Sequence, residues 1–525
     1  MKGRKKVKPM REKIVLAFDV GTQSSRALLI NNRGEILAKS QQQHKPPYVS
    51  PYPDWAERDA DLYFKDICTC SLDLKERFPD IFERIEAVSV TTIRDTVVCV
   101  DSSGKPLRPA ILWLDKRMAE GRPQMSNMVR MALKTVRMEE TANLQFRKSH
   151  CNWIIQNEPE IWEKTDKFLL LSGYLIFCLT GRMADAAASQ VGHIPFDSQH
   201  RQWQKKGALT RPVFDVHEDK LCCIVESGQE IGKITAEAAK KTGLPEGLPL
   251  FATGSDKACE IMGLGCIDKE KAAISLGTTA TVTFTIDHYL EPERFIPPYD
   301  SIMPGYFTPE IEIFRGYWLI SWFKKEFAEK EVAQAALEGC SAEDLLNRRL
   351  EEIPAGCEGL LFQPYFTPNI TMPTAKGAVI GFSDWHTRIH IYRAIIEGIN
   401  FALIDGLRQM EKKAGYRMKE IRVGGGGSQS DQICQITADM FGIPVVRTQT
   451  HEVAGIGTAM TTFVGMGEFE DYRQAADAMV HESCVFEPDR QQHEIYEKLY
   501  ENVFKKIYGR LEDLYDELGK IFEQM

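Results

Sequence analysis

The 525-residue chain has no apolar run near the ~20 residues that a membrane-spanning helix needs. The longest candidate, 168–179, is interrupted by Ser172 and Gly173 and reads as a buried helix. Positive charge is not in excess either. The formal net charge is −9, which argues against a nucleic-acid partner, because such binders carry a basic face. Paired cysteine spacing is also missing. The 13 cysteines are odd in number and scattered, and neither Cys68/Cys70 nor the adjacent Cys222/Cys223 belongs to the two well-spaced pairs of a zinc framework. They fit reduced thiols in a cytoplasmic protein. The one basic block, 1–13, has no apolar core of its own, so it reads as a solvated tail rather than a secretory leader. No low-complexity linker divides the chain.

What remains is a composition of globular type, 43% hydrophobic and 26% charged, on a chain too long for one core. Apolar β-rich runs at 14–19 and 26–30 flank Gly21-Thr22-Gln23-Ser24-Ser25, and 36–38 resumes the pattern after Asn31-Asn32-Arg33-Gly34. This reads as a β-meander. Further strands are expected at 87–91 and 97–100, and helical periodicity dominates from about 118 to 180. The second half repeats the theme: 271–276, a tight Gly277-Thr278-Thr279 turn, and a β-rich return over 280–286. The repetition is a weak internal duplication, of the kind that builds two related domains around a cleft. Clustered Gly254, Gly263 and Gly265 mark the boundary, giving a basic tail at 1–12, a first domain at 13–257 and a second at 258–525. From about 491 onward the chain reads as one amphipathic helix.

Phosphate oxygens bind where several backbone N–H groups converge on a concave turn with hydroxyls nearby. Asp19-Val20-Gly21-Thr22-Gln23-Ser24-Ser25-Arg26 offers this, with an acid placed to hold Mg²⁺ through water. Ser275-Leu276-Gly277-Thr278-Thr279 offers a second cradle. A third element, Gly424-Gly425-Gly426-Gly427-Ser428-Gln429-Ser430, opens a helix over 431–441 that Gly442 and Pro444 end. Any one of these is also an ordinary turn; together, each following a strand, they point to a nucleotide. Two look-alikes fail. Gly228 to Lys233 is one residue short of a P-loop and lacks the following Ser/Thr, and the glycine run has no third glycine at the dinucleotide spacing.

These segments, with Trp55-Ala56-Glu57-Arg58-Asp59, Trp113-Leu114-Asp115-Lys116-Arg117, Gly254-Ser255-Asp256, Glu397-Gly398-Ile399-Asn400-Phe401 and 452–459, resemble in order the FGGY family of carbohydrate kinases. The resemblance runs from Ile14 to about Gly467. It implies an α/β fold of two ribonuclease-H-like, actin-like ATPase domains with a deep interdomain cleft that closes on substrate. It implies ATP and Mg as cofactors, and Asp256 as the catalytic base taking the proton of the attacked hydroxyl. Gly21, Thr22, Gln23, Ser24, Arg26, Gly277, Thr278, Thr279, Gly425, Gly426, Gly427, Ser428 and Ser430 would bind nucleotide and phosphate, and Asp19 the metal. Phosphoryl transfer asks mainly for positioning and charge neutralisation, which this set supplies.

On the substrate side, Arg94-Asp95 resembles the Arg-Glu pair of the family's glycerol kinases rather than the Met-His of its xylulokinases. Trp113 and Asp115 would add an apolar wall and an acceptor. Lys257, after the catalytic Asp, would neutralise phosphate or meet an acidic substrate, and would hold the Asp256 pKa down. Gly173-Tyr174 replaces the Asp-Tyr of many members. The expected partner is a small sugar, polyol or sugar acid, with neither nucleic acid nor membrane; a homodimer or homotetramer is compatible. Two other readings share parts of this pattern: an actin-like ATPase, which would not need Arg94, Asp95, Trp113, Asp115 and Asp256, and a sugar-sensing regulator that binds without turnover.

Overall fold

Ile14–Val20 is buried at every position and forms strand β1, and Ser24–Asn31 (β2) returns antiparallel to it across the 21–23 turn in this computed structural model. The structure describes residues 11–136, 138–208, 210–294, 296–368 and 371–523; the expected basic tail lies outside them except for Arg11 and Glu12. Ile36–Gln43 (β3) pairs antiparallel with β2, and Ile85–Thr92 (β4) parallel with β1. Glu230–Lys233 (β5) and Pro249–Phe251 (β6) complete a sheet of order β5-β6-β4-β1-β2-β3.

A second six-stranded sheet copies the first strand for strand. Lys271–Leu276 (β7), Ala280–Phe284 (β8), Glu310–Ile313 (β9), Glu420–Gly424 (β10), Val445–Thr448 (β11) and Glu482–Phe486 (β12) run in the order β9-β8-β7-β10-β11-β12. The β7/β8 pair is antiparallel and β7/β10 and β10/β11 are parallel, as β1/β2, β1/β4 and β4/β6 are. The duplicated strand–Gly-Thr–strand pattern is therefore a duplicated sheet. The central strands read as near-continuous apolar runs because both of their faces are covered.

The chain divides into two compact units. One comprises 1–265, 299–306 and 452–480; the other 266–298, 307–451 and 481–525. In the first unit, Ala60–Arg77 (α1), His150–Asn157 (α2), Leu171–Thr180 (α3) and Asp256–Gly263 (α4) surround the sheet and a smaller four-stranded sheet. The second unit carries Arg388–Ala414 (α5) and Asp431–Phe441 (α6). Val453–Gly465 (α7) returns to the first unit and crosses α4 backbone to backbone. A Cβ on Gly263 would lie 1.8 Å from the Val453 carbonyl oxygen, and one on Gly457 1.9 Å from that of Cys259. Among the described residues no helix is long and apolar enough to cross a membrane.

Two local expectations are corrected. The run 168–179 is not one helix, because Lys167–Leu170 pairs as a strand with Val97–Val100 and only then does α3 begin. The C-terminal segment is Arg490–Leu499, then a π-helical turn at Tyr500–Phe504, then Lys505–Glu523 (α8). Phe401 stacks on both Tyr500 and Phe504, with ring centroids 6.3 and 4.9 Å away, so the wide turn spreads over one aromatic ring.

Gly457→Ala tests the crossing. Overpacking of this kind costs about 1–3 kcal/mol or more, so the melting temperature should fall clearly while Gly426→Ala, with open space around it, leaves it unchanged.

Candidate active site

In the first unit the parallel strands β1, β4 and β6 end on one edge of the sheet, where open α/β sheets place ligands. The ends are stitched together: Thr91 Oγ1 donates to the Gly254 carbonyl at 2.9 Å, and Thr253 Oγ1 to that of Val90 at 2.6 Å. Asp19 therefore leaves β1 in the same region as Arg94-Asp95 after β4 and Asp256 after β6. Ser255 caps α4 by accepting from Ala258 N–H, which makes Asp256 the first helical residue.

Asp19 is buried, and its carboxyl is pushed up to about 6. Burial is the main cause, Arg26 opposes it, and the carboxylates of Asp256, Glu452 and Glu260 add to it. The pKa of Asp256 is also raised by burial, against the pull of Arg94, Lys257 and a hydrogen bond from Lys257 N–H at 2.8 Å. Lys257 was expected to hold it down; it does pull that way, but burial outweighs it. The Lys257 ammonium itself meets Glu260 at 2.8 Å.

Arg26 does not present its charge freely to a phosphate. Its Nη1 lies 3.3 Å from Asp19 and 3.0 Å from Glu452, and Lys39 takes the other oxygen of Glu452 at 2.8 Å. Gly21 N–H closes the turn on Ser24 O at 2.9 Å, and Ser24 Oγ accepts from Gln41, so Thr22 and Gln23 form the open rim. Trp113 Nε1 donates to Thr22 Oγ1 at 3.0 Å, joining the predicted substrate wall to the phosphate turn. His44, missed in the sequence, backs the turn through Ser25 Oγ at 2.9 Å and Thr22 O at 3.0 Å.

Asp115 is a correction. Oδ2 accepts from Ala56 N–H and Arg117 Nη2, and Oδ1 from Arg117 N–H and Nε, all within 2.9 Å. Its side chain is sealed from solvent, so it scaffolds Arg117, which stacks on Trp55 at 3.7 Å and Trp153 at 4.7 Å. The two tryptophan motifs thus brace each other. Asp95, with φ of +47°, turns its carboxylate to His193, whose ring Nδ1 lies 2.7 Å from Oδ2. Burial works against the charge, but His193 and His150 outweigh it and lower the Asp95 pKa. A Cβ on Gly192 would strike Asp95 Oδ1, so that glycine admits the turn. Arg94 lies over the Tyr299 ring at 4.9 Å. Neither His193 nor Tyr299 carried a motif. The Gly173 substitution is explained by Asp185, whose buried carboxylate takes the Ser172 hydroxyl at 2.7 Å and lies 3.3 Å from where a Gly173 Cβ would be.

In the second unit the Gly-Thr turn and the glycine-rich loop touch. Gly425 has φ of +81°, and a Cβ there would lie 2.8 Å from Leu276 C and 2.9 Å from Gly277 N. Gly427 lies as closely on the Tyr317 ring, while Gly426 is exposed. Thr278 is exposed on the turn; the Thr279 hydroxyl donates to Phe314 O at 3.3 Å. Ser428 and Ser430 serve the loop itself: Ser428 Oγ donates to Gly425 O at 2.7 Å, and Ser430 Oγ caps α6 by accepting from Ile433 N–H. The 397–401 motif is structural too. Glu397 takes Arg393 and Tyr496, and a Cβ on Gly398 would lie 2.2 Å from Phe362 O.

Two family models match the chain: the N-terminal domain of the FGGY family of carbohydrate kinases over 14–263 and its C-terminal domain over 272–466. The chain belongs to the FGGY family of carbohydrate kinases. It is 28% identical over 516 residues to a xylulose kinase of Staphylococcus epidermidis, spanning 96% of this chain and 98% of the relative. A glycerol kinase of Dechloromonas aromatica is 28% identical over 472 residues, spanning 88% and 90%. The crystal structure of a gluconate kinase from Lactobacillus acidophilus superposes with a TM-score of 0.81 at 20% identity, covering 97% of this chain and all of that one, which shows the shared fold.

Gly425→Ala adds both a strained φ and a methyl group against the turn. The expected outcome is a KM for ATP at least ten-fold higher, with the melting temperature of the ligand-free protein lowered by only a few degrees.

Proposed function

We propose that this carbohydrate kinase transfers the γ-phosphoryl group of ATP to a hydroxyl of a neutral sugar or polyol, with Asp256 as the general base. The observation that carries the reading is the setting of Asp256: a partly buried carboxylate of raised pKa at the start of α4, within the fields of Arg94, Lys257 and Asp19. A base works best when its pKa lies near the working pH, and burial moves this carboxyl in that direction. Asp256 would accept the hydroxyl proton as that oxygen meets the phosphorus. Arg94, stacked on Tyr299, and Asp95, oriented by His193, would hold the sugar. Trp113 would form a wall and keep Thr22 turned toward phosphate.

The 21–23 turn of the first unit and, in the second unit, the 277–279 turn with its glycine loop each present backbone suited to phosphate oxygens, and under this reading each would bind part of ATP. Among the described residues no three His, Cys, Asp or Glu side chains gather as a ligand set. Magnesium keeps most of its waters and takes one or two carboxylates. Asp19 would hold it, and when bound it would neutralise charge on the phosphates. Arg26 and Lys39 act indirectly, Arg26 bridging Asp19 and Glu452 and Lys39 holding the other oxygen of Glu452.

A coupled ADP-release assay over glycerol, D-xylulose, D-ribulose and D-gluconate tests the reading. Turnover is expected with a neutral sugar or polyol. Asp256→Asn should lower kcat by about 10²–10⁴-fold while ATP still raises the melting temperature. Full activity in this variant, or ADP formation from ATP that no sugar stimulates, would overturn it.

A further inference from the structure

We infer that His150 is a sugar-binding residue, its Nε2 donating a hydrogen bond to a carbonyl or hydroxyl oxygen of the substrate other than the one phosphorylated. The inference rests on the kinase reading and names a specificity residue for it. His150 opens α2 and is only 4% exposed. The helix start is fixed: Ser149 Oγ donates to the His193 carbonyl at 3.0 Å, and Asn152 Nδ2 to those of Phe146 and Val213 at 2.9 and 2.8 Å.

Nδ1 of this ring is buried without a hydrogen-bond partner. No hydrogen bond to a described residue engages the ring, so whichever nitrogen carries the proton lacks a partner within the chain. The charged and titratable groups near enough to act on it are Asp95, His193, Asp115 and Arg117. Each is committed elsewhere, Asp95 to His193 and Asp115 to Arg117 and Ala56. The imidazole therefore lies within the fields of both segments, and its Nδ1 bonds to neither. Burial holds it well below the ordinary histidine range, at about 4, so near neutral pH it carries one N–H and one lone pair. A sealed lone pair is less costly than a sealed N–H, which puts the bare nitrogen at Nδ1 and the donor at Nε2. A neutral donor beside the Asp95–His193 pair suits an uncharged oxygen of a ketose or polyol.

The test couples the side chain to one substrate oxygen. The sugar turned over fastest in the panel, and each of its single-deoxy or deoxo analogues, are compared in the wild type, His150→Phe and His150→Gln. One analogue should show a KM about ten-fold higher in the wild type. His150→Phe should raise the KM of the parent sugar about as much, with no further loss on that analogue, because the two changes remove the same bond. His150→Gln, which keeps an N–H near Nε2, should recover part of the affinity, and the KM for ATP should stay within about two-fold throughout. Losses that add for every analogue, or a fall in kcat with an unchanged sugar KM, would mark a structural residue and overturn the inference. Should His150→Phe fail to fold, His150→Gln is read alone: a KM rise for the parent sugar that is smaller on that one analogue supports the inference, and losses that add on every analogue overturn it. Absence of turnover by the wild type on every sugar would instead sink the kinase reading beneath it.

Discussion

Four carboxylates crowded into one desolvated region of the first unit set the terms for the rest of it. Asp19 feels Asp256, Glu452 and Glu260 as repelling neighbours. Such a group stays ionised only if cations stand between its members, since a buried charge without a partner is far more costly than the pair itself is favourable. Arg26 bridges Asp19 and Glu452, Lys39 holds the outer oxygen of Glu452, Lys257 holds Glu260, and Arg94 acts on Asp256. The arrangement explains why an arginine that the sequence offers as a phosphate ligand is spent on carboxylates. It also leaves Asp19 and Asp256 with pKa values raised by burial rather than lowered by their cations.

Glu452 can serve this cluster only because 452–480 returns to the first unit. The return depends on close approach of two helices, and closeness depends on Gly263 and Gly457, whose backbones meet where any side chain would collide. The same logic holds in the second unit, where Gly425 and Gly427 bring the loop onto the Gly-Thr turn and Gly398 brings α5 onto the strand Leu361–Gln363. Glycine is conformationally expensive in helices and strands, and at these positions the absence of a side chain is what builds the site.

Much of this was legible in residue order. The duplicated strand–Gly-Thr–strand units became two sheets with matching order, because apolar runs and turn glycines are local signals that tertiary context seldom reverses. Asp19, Asp256, Gly425 and Gly427 fall where their motifs place them along the elements. What stayed hidden depends on partners distant in sequence. Nothing near Asp115 announces that Ala56 N–H and Arg117 exhaust its oxygens. His193, Tyr299 and Glu452 lie about 98, 205 and 426 positions from the residues they touch, and a single sequence carries no trace of such contacts. The helix expected over 168–179 failed for the same reason: the partner strand that claims 167–170 lies some 70 residues earlier.

Charge bookkeeping in the first unit also bears on which sugars fit. Arg26, Lys39, Lys257 and Arg94 stand against Asp19, Asp256, Glu260 and Glu452, and Asp95 has His193. The two cations that act on the candidate base each have a further partner, Lys257 the Glu260 carboxylate and Arg94 the face of the Tyr299 ring. On the proposed reading, a carboxylate on the substrate would stand beside Asp95 and Asp256 and add desolvation to repulsion. A hydroxyl brings neither. Lys257 read alone suggested an acidic substrate; with Glu260 beside it at 2.8 Å, its charge is already met within the chain.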